Sequence, residues 1–282
     1  MGAIIINGKE IASKIRQELK VKLNKIYNEK GVKLGLATVI VGGDPASMAY
    51  VKNKERVCSE VGLNSFTYEL PYETSQEEVV RLINDLNFRE DIHGILIQVP
   101  LPKHIDENTI ANVISPMKDV DGFNTQNSGK LFRGEKCLIP CTAKGILRLI
   151  KESGIKIEGK KATVVGRSNI VGKPAAMLLL KENATVTLCH SRTKNLKDEL
   201  YDADIIISAV GKKGLIKSDM VKEGAVVIDA GTSVYEGKLF GDVDFKNVKE
   251  KASYITPVPG GVGSMTTTML IENVLEASQY DV

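Results

Sequence analysis

The stretch of residues 161–180 constrains the fold of this chain more than any other. Residues 162–165 form a short apolar, β-branched run, which is typical of a strand buried on both faces. Gly166 follows where the backbone must turn sharply, and Pro174 stands near the start of the next apolar run, where a helix tolerates its missing N–H. The stretch therefore predicts a strand, a tight turn and a helix whose N-terminus is suited to a phosphate group.

The residues after this turn favour one kind of phosphate ligand. Ser168 stands where the usual G-x-G-x-x-G pattern has its second glycine. The next predicted strand, residues 184–188, ends without the Asp or Glu that binds the ribose of NAD in folds of this kind. Ser191 and Arg192 stand there instead, and together with Arg167 they suit a 2′-phosphate. We interpret this as an NADP site, although an ordinary strand-turn-helix with solvated arginines would show the same pattern.

Composition excludes several classes of protein. The 282 residues are 43% hydrophobic and 26% charged, which is normal for a soluble protein with room for two domains. A net charge of +3 gives no reason to expect a nucleic-acid partner, and no apolar run reaches the length of a membrane span. The N-terminus lacks a signal-peptide pattern, and the four cysteines are scattered without the spacing of a zinc site. We expect a cytoplasmic protein with reduced thiols, no metal site and no membrane partner.

The order of predicted elements indicates an α/β fold with two domains. The first half alternates β-α-β-α-β, and a second α/β unit begins at residue 161. We expect two α/β domains with a cleft between them, the C-terminal one a Rossmann-type doubly wound parallel sheet. The first domain is predicted over residues 1–141, completed by a closing helix within 265–282, and the second over residues 142–264.

Polar side chains follow the strands of the first predicted domain, where ligands gather in open α/β sheets. Ser47, Tyr50 and Lys54 lie at i, i+3 and i+7 of the helix after the second strand, so they share one face. Gln98 is the last polar residue of the strand ending at residue 99, and Asp121 lies in the loop after the next element. A lysine whose pKa is lowered by burial can act as a base beside such groups.

Each of these residues also has a simpler interpretation. Lys54 would be an ordinary solvated charge, Tyr50 a packing residue and Asp121 a turn-former before glycine. Gln98 is the hardest to explain in this way, because a polar side chain near the end of an apolar strand needs a partner when it is buried. The glycine-rich loop of residues 259–263 is either a site of close approach to a ligand or a plain hinge.

Six motifs occur in order along nearly the whole chain and are far more specific together than singly. They are Gly43-Asp-Pro-Ala-Ser-Met-Ala-Tyr50-Val-Lys-Asn-Lys54, Gln98-Val-Pro-Leu-Pro102, Lys118-Asp-Val-Asp121-Gly-Phe, Pro140-Cys-Thr142, Val165-Gly-Arg-Ser168 with Val171-Gly-Lys-Pro174, and Thr256-Pro-Val-Pro-Gly-Gly-Val-Gly263. In these motifs the chain resembles the bifunctional methylenetetrahydrofolate dehydrogenase/methenyltetrahydrofolate cyclohydrolase (FolD) family. The resemblance implies NADP-dependent oxidation of 5,10-methylenetetrahydrofolate to the methenyl cation, followed by hydrolysis to 10-formyltetrahydrofolate.

The resemblance also implies a role for each motif residue. Lys54 is the catalytic lysine, tuned by Gln98; Tyr50 lies beside the folate and Asp121 holds its pterin end. The remaining residues are expected to border the folate (Pro259, Gly260 and Gly261) or to contact NADP (Gly166, Arg167, Ser168, Ser191, Arg192 and Thr232). A homodimer formed through the cofactor domain is implied as well, as is a place in the one-carbon metabolism that supplies purine, histidine and methionine synthesis.

The chain departs from the family pattern at three places. Ala143 and Ser264 stand where the family usually has proline, and Gly231-Thr-Ser233 stands for Gly-Ile-Asn. Thr232 falls at a strand end that we expect near the nicotinamide. Two alternative functions fit part of the pattern: an NADP dehydrogenase for a small hydroxy or amino acid, which would offer a compact basic pocket, and a non-catalytic NADP-binding protein.

Overall fold

A computed structural model describes residues 2–43 and 45–280, apart from the side chains of Pro45 and Ala46. Asp44, in the turn predicted before the second helix, lies outside the described residues. The chain forms two compact units, one of Met1–Ser13 with Thr142–Thr266 and one of Lys14–Cys141 with Thr267–Val282. We name them by their main sheets, the six-stranded unit and the three-stranded unit respectively. Both are α/β, so the predicted fold class is confirmed.

The elements follow one another along the chain as strands, α-helices and two short 3-10 turns. In chain order they are β1 (Ile4–Ile5), α1 (Gly8–Lys30), β2 (Gly35–Val41), α2 (Pro45–Val61), β3 (Asn64–Leu70), α3 (Gln76–Phe88), β4 (Gly94–Ile97), α4 (Glu107–Val113), α5 (Thr125–Phe132), α6 (Cys141–Glu152), β5 (Lys161–Val165), α7 (Gly172–Lys181), β6 (Thr185–Cys189), α8 (Leu196–Tyr201), β7 (Ile205–Ser208), a 3-10 turn (Ser218–Met220), β8 (Val226–Asp229), β9 (Ser233–Tyr235), β10 (Lys238–Phe240), α9 (Phe245–Val248), β11 (Tyr254–Ile255), a 3-10 turn (Val262–Ser264) and α10 (Thr266–Ala277).

The three-stranded unit is built on a parallel sheet in the order β3-β2-β4. Its central strand β2 is buried at every residue, as its continuous apolar sequence requires. Helix α3 packs through Val79, Ile83 and Leu86, which recur at helical spacing on one face. A capping box begins this helix, because the Ser75 side chain accepts from the Glu78 backbone N–H and the Glu78 carboxylate accepts from the Ser75 backbone N–H.

The six-stranded unit has the parallel strand order β1-β11-β8-β7-β5-β6. Strand β5 lies between β6, the next strand in sequence, and β7, so the strand order reverses beside it. The carboxyl ends of strands at such a reversal form the ligand crevice of doubly wound sheets. Strands β7 and β8 are buried throughout, whereas β6 stands at the edge with Thr185, Thr187 and Leu188 exposed.

Three features differ from the sequence-based expectation. The segment Met1–Ser13, which we expected in the first domain, groups with the six-stranded unit because β1 pairs with β11. Helix α5 was not predicted from its mostly polar sequence; it begins where the Asn124 side chain accepts from the Gln126 amide. The hairpin of β9 and β10 was not predicted either, and it turns through Glu236 and Gly237, both with positive φ.

Within the described residues, no helix combines the length and the apolar character needed to cross a bilayer.

Candidate active site

Helix α2 carries two of the residues expected to act on the substrate. Val51 and Cys58 are buried, and Lys54 lies between them along the helix with its side chain partly buried. Ser47, one of the three residues predicted to share a face, is buried at the start of the same helix. Tyr50 is 60% exposed, so its ring is open to a ligand rather than packed in the core. The two simpler interpretations, a solvated lysine and a packed tyrosine, are therefore both wrong.

Lys54 and Gln98 form a direct hydrogen bond. The Nζ of Lys54 donates to the Oε1 of Gln98 over 2.9 Å. Gln98 follows strand β4, and its backbone N–H donates to Val39 O at 2.8 Å, which continues the ladder with β2. Its Nε2 donates to Val99 O at 2.8 Å, so the amide is fixed with its acceptor oxygen toward Lys54. A polar side chain at the end of this strand needs a hydrogen-bond partner, and for Gln98 that partner is the Lys54 amine.

Asp121 is the third predicted residue that the structure brings into this group. Burial lowers the pKa of Lys54 below its ordinary value, and the negative charge of Asp121 opposes part of that effect, as do the thiols of Cys141 and Cys58. Burial in turn raises the pKa of Asp121, and the Lys54 charge and a hydrogen bond from Cys141 oppose that rise. The result is an amine that gives up its proton more readily than a solvated lysine, beside a carboxylate that stabilises its charged form.

The loop that carries Asp121 is held by a second carboxylate that the sequence analysis did not single out. Asp119 is buried and accepts from Phe123 N at 3.0 Å, Asn124 N at 2.9 Å and Asn127 Nδ2 at 2.8 Å. Burial raises its pKa to about 7 in spite of these donors. The signal for this role was the motif itself, in which two aspartates flank a valine and two asparagines follow within eight residues of the first.

Cys141, the middle residue of the Pro140-Cys-Thr142 motif, also belongs to this group, although the sequence assigned it no role of its own. Its thiol donates to Val120 O at 3.3 Å, next to Asp121, and it is fully buried at the start of α6. In the sequence it is one of four scattered cysteines, and all four are buried in the structure. Nothing in its spacing distinguished it from the others. Within the described residues, no group of three or more His, Cys, Asp and Glu side chains is arranged to hold a metal ion.

The turn after β5, predicted as a phosphate site, has closely packed backbone in the six-stranded unit. Gly166 has φ +120°, and a Cβ there would lie 2.4 Å from Ala209 O. A Cβ at Gly172 would lie 2.0 Å from Gly166 O, so the first turn of α7 packs directly on the loop. The Ser168 hydroxyl accepts from Val171 N at 3.2 Å and Gly172 N at 3.4 Å. Only glycine fits at the two close approaches, and such a turn lets a pyrophosphate reach backbone N–H groups at the start of a helix.

The residues expected to select the cofactor lie beside this turn. Val165 pairs with Cys189 in the β5–β6 register, so the segments that follow both strands leave the sheet at neighbouring points. Arg167, Ser191 and Arg192 are all exposed there. The Arg192 N–H donates to His190 Nδ1 at 3.1 Å, which fixes the backbone after β6. A turn that requires glycine at two positions, next to two exposed arginines and an exposed serine, fits a dinucleotide that carries an additional phosphate.

Thr232 lies at the carboxyl end of β8, in a segment organised by two buried aspartates. Asp229 accepts from the backbone N–H groups of Gly231, Asp242 and Val243 at 2.9–3.0 Å. Asp242 accepts from Ser208 Oγ and Val210 N, both at 2.8 Å, and from Lys212 N at 2.6 Å. These bonds tie the ends of β7, β8 and β10 together beneath Thr232, whose side chain is exposed. No pattern in the sequence indicated either aspartate.

The loop expected to border the folate belongs to the six-stranded unit. Gly260 has φ +108°, and a Cβ at Gly261 would lie 2.5 Å from Pro257 O. Pro259 is exposed. The glycines are therefore required by the fold of the loop itself, whatever else it binds. Lys54, Gln98 and Asp121 are brought together within the three-stranded unit.

Comparison with protein families gives matches to both halves of the chain. Residues 6–121 match the tetrahydrofolate dehydrogenase/cyclohydrolase catalytic domain, and residues 140–282 match the NAD(P)-binding domain of the same family. The bifunctional protein FolD of Moorella thermoacetica is 54% identical over 280 residues, covering 99% of this chain and 100% of that protein. The FolD protein of Clostridium novyi is 53% identical over 273 residues, covering 97% and 98%.

Solved structures agree with this result. The FolD methylenetetrahydrofolate dehydrogenase/cyclohydrolase of Campylobacter jejuni superposes with a TM-score of 0.96 at 46% identity, over 98% of this chain and 99% of that one. The Trypanosoma brucei enzyme, solved in complex with NADP and an inhibitor, gives a TM-score of 0.93 at 39% identity, over 98% and 97%. These matches decide against the small-acid dehydrogenase and the non-catalytic binding protein. The resemblance inferred from the six motifs is confirmed: the chain belongs to the tetrahydrofolate dehydrogenase/cyclohydrolase family and is a bifunctional enzyme with a nicotinamide-cofactor domain.

Proposed function

We propose that the enzyme oxidises 5,10-methylenetetrahydrofolate with NADP and then hydrolyses the methenyl cation to 10-formyltetrahydrofolate, with Lys54 as its proton-transfer group. The observation that carries this proposal is the 2.9 Å hydrogen bond from Lys54 to Gln98 on a partly buried lysine. NADP, when bound, accepts the hydride in the first reaction. The residues of the three-stranded unit then have to bind a cationic product and move protons around it.

The hydrolysis needs one group that takes a proton and gives it back. In our proposal neutral Lys54 accepts a proton from the water that adds to the methenyl carbon, and a neutral carbinolamine forms. The Lys54 ammonium then protonates N5 as the C–N5 bond breaks, and the hydroxyl proton leaves to solvent as the formyl C=O forms. One proton is released overall. A lysine suits this cycle because a lowered pKa makes both of its forms accessible near neutral pH.

The remaining residues bind and tune in this proposal. Gln98 orients the Lys54 amine through its fixed Oε1, and Asp121 supplies the counter-charge and a hydrogen-bond acceptor for the pterin. A neutral or shared-proton amine tolerates the substrate cation, which a fixed ammonium would repel. Tyr50 presents an exposed ring to the folate, and the loop of Pro259, Gly260 and Gly261 borders it.

We assign the cofactor site to Gly166, Arg167, Ser168, Ser191, Arg192 and Thr232. The exposed arginines and the absence of an acid after β6 support NADP over NAD, because they match a 2′-phosphate rather than a free ribose hydroxyl. The Ser168 hydroxyl stabilises the turn, and Gly166 allows backbone to approach the pyrophosphate. Thr232 stands at the expected nicotinamide contact.

We also propose a homodimer, a cytoplasmic location and a role in purine, histidine and methionine synthesis through one-carbon units. The open edge strand β6, with Leu188 37% exposed, supports the dimer. Four buried cysteines suit a reducing compartment.

We propose that residues 1–141 and 265–282 form the folate-binding catalytic domain and that residues 142–264 form the cofactor domain. Met1–Ser13 contributes strand β1 to the sheet of the cofactor domain.

The proposal is tested with Lys54→Met against wild type. The rate of methenyltetrahydrofolate hydrolysis is measured by the loss of that compound's absorbance. We expect this rate to fall by about 10²-fold or more, since general acid–base catalysis contributes that much. The Kd for NADP should stay within about twofold, because the change lies in the other unit.

Lys52→Met is the matched control, since Lys52 is an exposed lysine on the same helix. It should leave both activities close to wild type. Wild-type hydrolysis in Lys54→Met would remove Lys54 from the mechanism, and equal turnover with NAD and NADP in the wild type would remove the cofactor assignment.

A further inference from the structure

Asn273 is a fully buried polar residue on a helix whose buried residues are mostly apolar. It lies on α10 with a relative exposure of 0%, among Met269, Leu270 and Val274, which are also buried. A buried amide side chain costs free energy unless its hydrogen bonds are made. Its contacts therefore report what the residue does for the fold.

The Asn273 amide joins two segments of the candidate active site. Its Nδ2 donates to Val120 O over 2.7 Å and to Ile139 O over 2.8 Å, which uses both of its N–H groups on backbone carbonyls. The same nitrogen lies 3.6 Å from Cys141 Sγ. Val120 immediately precedes Asp121, and Ile139 is two residues before Cys141, whose thiol lies close enough to Asp121 to lower the pKa of that carboxyl.

The loop that carries Asp121 is also held by hydrogen bonds to Asp119. Asp119 accepts from the backbone of Phe123 and Asn124, which closes the loop around Asp121. Gly122, with φ +72°, leaves no room for a Cβ, because Pro140 N lies 2.5 Å from where it would be. The backbone of Asp121 is thus fixed between Asp119 on one side and Asn273 on the other.

We propose that Asn273 is a positioning residue for catalysis, which sets the distance between the Asp121 carboxylate and the Lys54 amine by holding Val120 and Ile139. This inference rests on the roles proposed above for Lys54 and Asp121. Asn273 holds the backbone immediately before Asp121 and immediately before Pro140, and its effect on the reaction passes through the loop.

The charged and titratable groups that face Lys54 make the effect measurable. They are Asp121, Cys141 and Cys58, and Asp119 faces Asp121 in turn. Asp121 raises the pKa of Lys54 against the larger lowering by burial. If the loop loses its anchor and the carboxylate moves away, the pKa of Lys54 falls, so the limb of the hydrolysis pH profile that reports Lys54 moves to lower pH.

The test compares the pH profile of methenyltetrahydrofolate hydrolysis in wild type, Asn273→Leu and Asn273→Ser. Leucine keeps the branching and the number of side-chain heavy atoms of asparagine, although it is larger, and removes both donors, whereas the smaller serine keeps one donor. We expect kcat to fall at least about tenfold in Asn273→Leu with the Lys54 limb displaced to lower pH, and a smaller change in the same direction in Asn273→Ser. The Kd for NADP should not change.

Thr268→Val is the matched control on the same helix. Thr268 is fully buried, and its hydroxyl accepts from Arg16 Nη1 at 3.1 Å, away from the Asp121 loop. It should lower the melting temperature as the Asn273 variants do but leave the pH limb in place. If Asn273→Leu does not fold, the pH limb of Asn273→Ser decides.

Two results separate this inference from the proposed function. An unchanged pH limb in the Asn273 variants, together with a displaced limb in Asp121→Asn, would overturn the positioning role alone. An unchanged limb in Asp121→Asn as well would overturn the roles proposed for Asp121 and Lys54.

Discussion

Gln98 shows how one side chain sets the chemistry of another. Its amide is fixed by a bond to Val99 O, so only its oxygen is offered to Lys54 Nζ. A neutral acceptor orients the amine without adding charge, and burial is then free to lower the pKa of Lys54. A carboxylate at this position would keep the geometry but would stabilise the ammonium.

Gln98→Glu tests this argument directly. The added negative charge should raise the pKa of Lys54 toward or above its ordinary value, so the Lys54 limb of the hydrolysis profile should move to higher pH and activity at pH 7 should fall about tenfold or more. Gln98→Met, with similar volume and no charge, should lose activity without an upward displacement of the limb. An identical profile in Gln98→Glu and wild type would contradict the proposed contact.

The sequence predicted only some of these residues, for a physical reason. Gln98 was predicted because it is a polar side chain at the end of an apolar strand. Lys54 was predicted because its spacing places it on the same helix face as Tyr50. Asn273 lies in a helix of ordinary amphipathic pattern, and its partners, Val120 O and Ile139 O, are backbone atoms more than 130 residues away. No local pattern encodes such a contact.

At the scale of single elements, the turn between β5 and α7 is the part most tightly specified by its sequence. Gly166 is in the left-handed region, and both it and Gly172 approach backbone too closely for a Cβ. Helix α5 and the β9–β10 hairpin show the opposite case. Their sequences carry little periodicity, and they form because Asn124 caps the helix and Glu236-Gly237 adopts positive φ.

Gly166→Ala should therefore damage both stability and cofactor binding. The left-handed backbone alone costs about 1–2 kcal/mol for a residue with a Cβ, and the clash with Ala209 O adds to it. We expect a lower urea midpoint and an NADP Kd at least about tenfold higher. Gly159→Ala is the control, since Gly159 has φ +74° with no atom within 4 Å of a Cβ, and it should lose stability but not NADP affinity. Equal NADP affinity in the two variants would contradict the cradle.

At the scale of the whole molecule, the chain divides its tasks between two α/β units. The Lys54, Gln98 and Asp121 group lies in the three-stranded unit and the glycine cradle in the six-stranded unit. The two-domain α/β organisation could be predicted from the alternation of elements. The assignment of Met1–Ser13 could not, because β1 is only two residues long and pairs with β11 some 250 positions later.

The proposed homodimer is a prediction at this scale. The chain of 30.7 kDa should sediment at about twice that mass at micromolar concentration. Leu188→Lys, on the open edge strand β6, should shift the protein to monomer because a lysine opposes edge-to-edge association. Val21→Lys, at an apolar residue of α1 that is 70% exposed, should remain dimeric. A monomeric wild type would contradict the dimer, and a dimeric Leu188→Lys would exclude this edge as its interface.

The central claim is that Lys54 is a lysine with a lowered pKa, ready to exchange a proton. The most direct measurement is an NMR titration of the protein labelled with ¹³C at lysine Cε, with the Lys54 resonance assigned by its absence in Lys54→Met. We predict that this resonance titrates clearly below the value near 10.4 that solvated lysines share, and that it moves lower still in Asp121→Asn. A Lys54 resonance that titrates with the solvated lysines would contradict the account.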